Sequence, residues 1–155
     1  LINHIPIPLQ NVNPIPTDVP TPEDAAAAYE KTLRRLFDIF GTLSSDNTLP
    51  VFDVILLGMG PDGHTASLFP DSPALDERLK WVTATPVPAL NPPVRRITLT
   101  FPVINAARHV LFLVSGQEKQ AIVKTILDDP AQAYERYPAA RVNPTGKLYW
   151  FLVKD

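Results

Sequence analysis

Val51-Phe52-Asp53-Val54-Ile55-Leu56-Leu57-Gly58-Met59-Gly60-Pro61-Asp62-Gly63-His64 sets an apolar run directly against a glycine-rich turn that ends in histidine. The part from Val51 to Leu57 is short and largely apolar, which predicts a strand covered on both faces, as in the interior of a parallel sheet. A second run, Val110-Leu111-Phe112-Leu113-Val114, leads through Ser115-Gly116 into a helical stretch from Gln117 to about Leu127. Strand, turn and helix in that order predict an α/β fold: a Rossmann-like parallel sheet flanked by helices.

Other elements arrange themselves around these two. Thr21-Pro22-Glu23-Asp24 is a helix start, with a hydroxyl to cap an orphan amide, proline in the first turn and acids at the positive end of the dipole. The predicted helix runs to about Gly41, and Ala25, Ala28, Tyr29, Leu33, Leu36 and Phe40 form its apolar face. Trp81 to Thr85, Arg96 to Thr100 and Tyr149 to Leu152 read as shorter strands. Prolines at 6, 8, 14, 16 and 20 disfavour a helix and make residues 1–20 an extended lead-in. Leu1 is not an initiating methionine, and the apolar opening reads as an internal connector, so further sequence upstream, and hence an incomplete sheet, is expected.

Composition bounds the partners. A chain of 155 residues with 45% hydrophobic content predicts one domain over 1–155. Net charge is -2, with no basic excess to neutralise a nucleic-acid backbone or an anionic membrane surface. The absence of cysteine excludes a thiolate zinc site and a cysteine nucleophile, and fits a cytoplasmic location. No apolar stretch approaches the length of a membrane span.

Gly58 to Gly63 formally satisfies the G-x-G-x-x-G dinucleotide fingerprint after a strand. The context argues against it, because Pro70 stops the helix that those glycines should open and no ribose-binding acid ends a following strand. The alternative is that Gly58, Gly60 and Gly63 bring the backbone close to a small ligand at the carboxyl end of a buried strand. His64 then projects from the loop as a base, since an imidazole titrates near neutrality. A lone histidine is more often a core or capping residue, and its place after a glycine-rich strand end is what favours chemistry. Asp62 stands where it can orient the ring, although Pro-Asp-Gly is also ordinary turn chemistry.

The longer run Leu57 to Pro70, with Thr65-Ala66-Ser67-Leu68-Phe69-Pro70 after the histidine, resembles the signature of the 6-phosphogluconolactonases, which share a fold with the glucosamine-6-phosphate deaminases. Further similar segments follow in order: Arg96-Ile97-Thr98-Leu99-Thr100, Asn105-Ala106-Ala107-Arg108, Gly116-Gln117-Glu118-Lys119 and Pro144-Thr145-Gly146-Lys147-Leu148-Tyr149-Trp150. The resemblance implies hydrolysis of 6-phosphoglucono-δ-lactone to 6-phosphogluconate in the oxidative pentose phosphate pathway, without metal or organic cofactor. It implies His64 as the base that activates water, with loop amides or a nearby donor steadying the charge on oxygen. It implies Arg96 and Lys119 as phosphate ligands; Arg95 and Arg96 cannot share a face on a strand, and the motif selects Arg96.

Departures from the pattern are equally specific. The family's Gly-Gly-Ser-Thr-Pro-like phosphate loop and its Asp-Glu-Arg segment do not occupy their expected places before the histidine loop. Asp76-Glu77-Arg78 lies after that loop and reads as a surface helix or turn, so no role is transferred to it. Family members also continue into a last helix beyond the Trp150-Phe151 segment, so truncation is expected at both ends. A deaminase-like enzyme and a non-catalytic sugar-phosphate-binding remnant are the alternatives. His4, His64 and His109 are too scattered for a zinc hydrolase, and no G-x-S-x-G turn supports a serine hydrolase.

Overall fold

The computed structural model describes residues 4–44, 46, 48–88 and 92–153. Its central sheet has three parallel strands, β1 (Ile55–Leu57), β4 (His109–Ser115) and β5 (Lys147–Val153), in the order β1-β4-β5. A separate antiparallel pair joins β2 (Val82–Ala84) to β3 (Ile97–Leu99), with Thr83 opposite Thr98. The helices are α1 (Pro22–Phe40), α2 (Phe101–Asn105), α3 (Gln117–Asp128) and α4 (Pro130–Arg136). The parallel α/β arrangement expected from the two apolar runs is therefore present. Over residues 4–20 the lead-in holds no α-helix and no strand, and a 3-10 turn spans Leu9–Asn11.

Leu57, Phe112 and Trp150 fall in one row across the three strands, and Phe112 stacks on Trp150 with ring centroids 4.1 Å apart. Beneath this row Ile104 of α2 and Ile122, Val123 and Ile126 of α3 complete the larger core. The opposite face differs from the expectation of a strand covered on both sides. Leu56 is 57% exposed and Leu113 53%, and Tyr149 and Phe151 are exposed beside them. The side chains alternate, and the helices that pack on the sheet do so from the Phe112 side. The first strand is also shorter than Val51–Leu57, because its ladder with β4 begins only at Ile55 opposite Val110.

Helix α1 begins and ends as its sequence predicts: the Thr21 hydroxyl accepts from the Asp24 amide at 3.1 Å, and Gly41 closes the helix at φ 62°. Its apolar face is rotated from the predicted one. Ala25, Ala26 and Leu33 are buried, Tyr29 and Phe37 pack beside them, and Phe40 is 70% exposed. Phe37 instead meets Phe52 edge-on at 4.7 Å and Trp81 at 6.4 Å.

A carboxylate ties this helix to the β2–β3 pair. Glu30 accepts from the backbone amides of Trp81 and Val82 at 2.9 and 3.2 Å with one oxygen, and from Arg34 with the other. The Arg34 guanidinium lies 4.2 Å over the Trp81 ring, and the indole nitrogen donates to the Thr48 carbonyl at 2.9 Å. Glu30→Ala leaves two strand amides without their acceptor and should cost about 1–3 kcal/mol, read as a lower urea midpoint. An unchanged midpoint would show that those amides find other partners.

Candidate active site

The chain leaves β1 at Gly58 and closes a short loop on itself. The Gly60 amide donates to the His64 carbonyl at 2.9 Å, and the Gly63 amide donates to the Gly60 carbonyl at 3.0 Å. One oxygen of Asp62 accepts from the His64 amide at 3.1 Å and lies 2.6 Å from the ring Nδ1. An ionised carboxylate only accepts, so in a neutral imidazole held this way the proton sits on Nδ1 and the lone pair on Nε2. The imidazole is mostly enclosed, at 19% side-chain exposure.

Two of the three glycines are required by what surrounds them. A Cβ on Gly60 would lie 2.2 Å from both Cε1 and Nδ1 of His64 and 2.8 Å from the Asp62 carboxylate, so the ring rests against a bare Cα. Gly63 has φ +76°, and a Cβ there would come within 2.5 Å of the Tyr137 ring. Gly58 meets nothing within 4 Å, and its carbonyl accepts from the buried Thr65 hydroxyl at 2.9 Å. Its place is therefore set by a hydrogen bond and not by a close approach.

Phe69 connects the histidine to a cation. Its ring centroid lies 4.5 Å from that of His64, and the Arg96 guanidinium sits 5.7 Å from the same ring. Arg96 Nε is buried and, among the described residues, has no hydrogen-bond partner. Arg95 turns the other way, to Glu23 on α1, and this hydrogen bond, with the charge behind it, holds the Glu23 carboxyl below the usual carboxylate range. The two arginines thus diverge as neighbours in an extended segment must. The Ser67 amide donates to the Thr98 hydroxyl of β3 at 3.3 Å, which fastens the loop to the segment that carries Arg96.

Lys119 stands in the first turn of α3, at the same carboxyl edge of the sheet as the histidine loop. Among the described residues its ammonium has no ion-pair partner. A cleft of about 930 Å³ is lined by Pro61, Asp62 and Tyr137 beside the histidine loop, and His64 is not among its lining residues. Its walls include Asp71, Asp76, Glu118 and Glu135 against Arg136 and Arg141, an acidic balance that does not suit a phosphate ligand. Asp76-Glu77-Arg78 lies at the end of a 3-10 turn over Pro73–Asp76, where it was expected to be a surface turn. Among the described residues no group of three or more His, Cys, Asp or Glu side chains is placed to hold a metal ion, and no helix is long and apolar enough to cross a membrane.

A sequence profile described as "Glucosamine-6-phosphate isomerases/6-phosphogluconolactonase" matches residues 1–150. The chain belongs to this family. It is 47% identical over 153 residues to the 6-phosphogluconolactonase of Homo sapiens and 46% identical over 153 residues to that of Rattus norvegicus, covering 98% of this chain in each case. It spans 55% of the length of both relatives. The crystal structure of 6-phosphogluconolactonase from Thermotoga maritima superposes with a TM-score of 0.78 at 35% identity, over 99% of this chain and 61% of that one.

Family membership accords with the rejection of the dinucleotide fingerprint, and the loop's geometry supplies the physical reason. Residues after His64 form turns and a Thr65 to Leu68 bridge, with no helix whose first amides could receive a pyrophosphate. Sequence reasoning missed Phe69, Thr98 and Tyr137 as parts of the site. Phe69 lay inside the quoted run and was readable there as a buried aromatic; Tyr137 carried no signal, since it reaches Gly63 only through the fold. Gly60→Ala should displace the His64 ring and shift its side-chain NMR resonances, while Gly58→Ala should leave them in place. Similar spectra for the two variants would contradict the close approach.

Proposed function

We propose that this chain acts in the hydrolysis of 6-phosphoglucono-δ-lactone to 6-phosphogluconate, with His64 as general base. The observation that carries the proposal is the 2.6 Å contact between Asp62 and His64 Nδ1, because it turns Nε2 of the neutral ring into the acceptor for a water proton. Water gives a proton to Nε2 as its oxygen attacks the lactone carbonyl. Asp62 steadies the imidazolium that forms, as a carboxylate on the far nitrogen does in other acid–base pairs. The tetrahedral intermediate then collapses with cleavage of the ring carbon–oxygen bond, and the proton passes to the departing ring oxygen. Ester hydrolysis of this kind requires no redox step and no group transfer to the protein.

The oxyanion has fewer donors in the loop than its glycine content suggests. The amides of Gly60, Gly63 and His64 already serve internal hydrogen bonds, so the developing charge is met by donors other than these three. Arg96 is the phosphate ligand, supported by its buried, unpartnered Nε beside the ring that also touches His64. Lys119 is a second cation for the same group, supported by its place in the first turn of α3. Neither metal nor organic cofactor enters this chemistry. The net charge of -2 and the absence of cysteine support a cytoplasmic enzyme of small metabolites with no nucleic-acid or membrane partner.

The test uses the chain alone and the chain joined to the portion of the human relative that it does not match. Each is assayed for lactone hydrolysis and, for comparison, for deamination of glucosamine 6-phosphate. His64→Gln should lower kcat by about 10² to 10⁴ with KM little changed, and Asp62→Asn by a smaller factor. Wild-type rates in His64→Gln would remove the base. Binding of 6-phosphogluconate without turnover in both forms would replace the lactonase reading by sugar-phosphate binding alone.

A further inference from the structure

We propose that Phe69 is a positioning residue that fixes the separation between the base and the phosphate-binding cation, so that one aromatic ring sets the distance the site accepts between a substrate's carbonyl carbon and its phosphoryl group. The inference rests on the roles proposed above for His64 and Arg96 and assigns what joins them. Phe69 is 5% exposed and follows Leu68, which is fully buried, so its ring has a packed and narrow range of orientations. The His64 imidazole lies against it at 4.5 Å, tilted by 41°, and the Arg96 guanidinium lies at 5.7 Å from the same centroid.

The chemistry of an aromatic partner suits this task better than a charged one. A carboxylate would hold a guanidinium by taking its donors, as Glu23 holds Arg95. A phenyl ring attracts the cation through its negative face and accepts no conventional hydrogen bond, so the donors remain available to an incoming oxyanion. The unpartnered, buried Nε of Arg96 is the expected result of such an arrangement. On the histidine side the division of labour is similar. Asp62 sets the in-plane direction of the imidazole through Nδ1, and Phe69 packs against the ring at a 41° tilt without a hydrogen bond, so neither contact occupies Nε2. Arg96 carries a long and otherwise flexible stem, and the ring supplies the fixed surface it lacks.

Phe69→Leu keeps an apolar side chain and removes the ring, Phe69→Tyr keeps the ring, and Phe69→Met replaces Phe69→Leu if circular dichroism shows that variant unfolded. Turnover is measured with 6-phosphoglucono-δ-lactone and with glucono-δ-lactone, which lacks the phosphoryl group, in the same two protein forms as above. The ratio of kcat/KM for the phosphorylated over the unphosphorylated lactone should fall about tenfold or more in Phe69→Leu and return to within about twofold of wild type in Phe69→Tyr. A purely structural role would lower both lactones alike and leave the ratio unchanged, which overturns the proposal.

Inorganic phosphate titrated into isotopically labelled chain, read through the His64 ring resonances, gives an arm that does not depend on turnover. Wild type and Phe69→Tyr should respond, Phe69→Leu should respond several-fold more weakly, and Arg96→Ala should not respond. No response in wild type, or equal responses in wild type and Phe69→Leu, overturns the proposal. Unimpaired hydrolysis by His64→Gln would instead defeat the reading of the base while this titration still decides the role of Phe69.

Discussion

The site depends on one close approach: the imidazole of His64 rests on the Cα of Gly60, in space that any side chain at that position would fill. That contact exists because the loop closes twice, through the Gly60 amide to His64 and the Gly63 amide to Gly60, and because Asp62 caps both the amide and the ring of the histidine. The sharp turn keeps the ring at the end of β1 instead of letting it swing into solvent. The same closure consumes three amides, so the donors that hold the histidine in place are not open to a ligand. Below the loop Tyr137 packs against Gly63, so the second glycine admits a core side chain where the first admits the imidazole.

Two cores stand behind this loop. The larger lies under the row Leu57, Phe112 and Trp150 and holds the strand that delivers the loop; the smaller gathers α1, Trp81 and Val82 and holds the β2–β3 pair. Phe52 and Leu99 pack against both, which couples the histidine's support to that of Arg96. The Ser67 to Thr98 hydrogen bond makes the same connection at the surface of the site. Glu30 and Arg34 extend it to α1, where an ion pair whose carboxylate also accepts from two backbone amides fixes a helix against a strand edge. Arg95 completes the link from the other side through Glu23.

Much of this was legible in local chemistry. Thr21 and Gly41 mark the ends of α1 through capping and a left-handed residue, and Ser115-Gly116 marks the start of α3. The opposed directions of Arg95 and Arg96, just ahead of β3, follow from the alternation of side chains along an extended backbone. Two short helices were equally marked and went unread: Thr100-Phe101-Pro102 opens α2, and Asp129-Pro130, with the Asp129 side chain accepting from the Gln132 amide, opens α4. The apolar stripe of α1 was misplaced because Phe40 and Phe37 are interchangeable by composition, and only Phe52 and Trp81 distinguish them. The supposed double coverage of β1 failed for a related reason. An apolar run states which side chains can be buried, and not which face receives a helix.

By itself the sequence determined the family, the parallel order of its two main strands and the loop that presents His64, because each of these is written in contiguous residues whose backbone preferences and spacing are local. Only the tertiary structure decided that Gly60 is the glycine on which the imidazole rests and that one ring, Phe69, meets both His64 and Arg96. Those facts depend on how the loop after β1 and the segment ahead of β3 are packed against one another. Distances between segments remote in sequence are set by side-chain volume and hydrogen-bond closure across the core, quantities that no run of neighbouring residues contains.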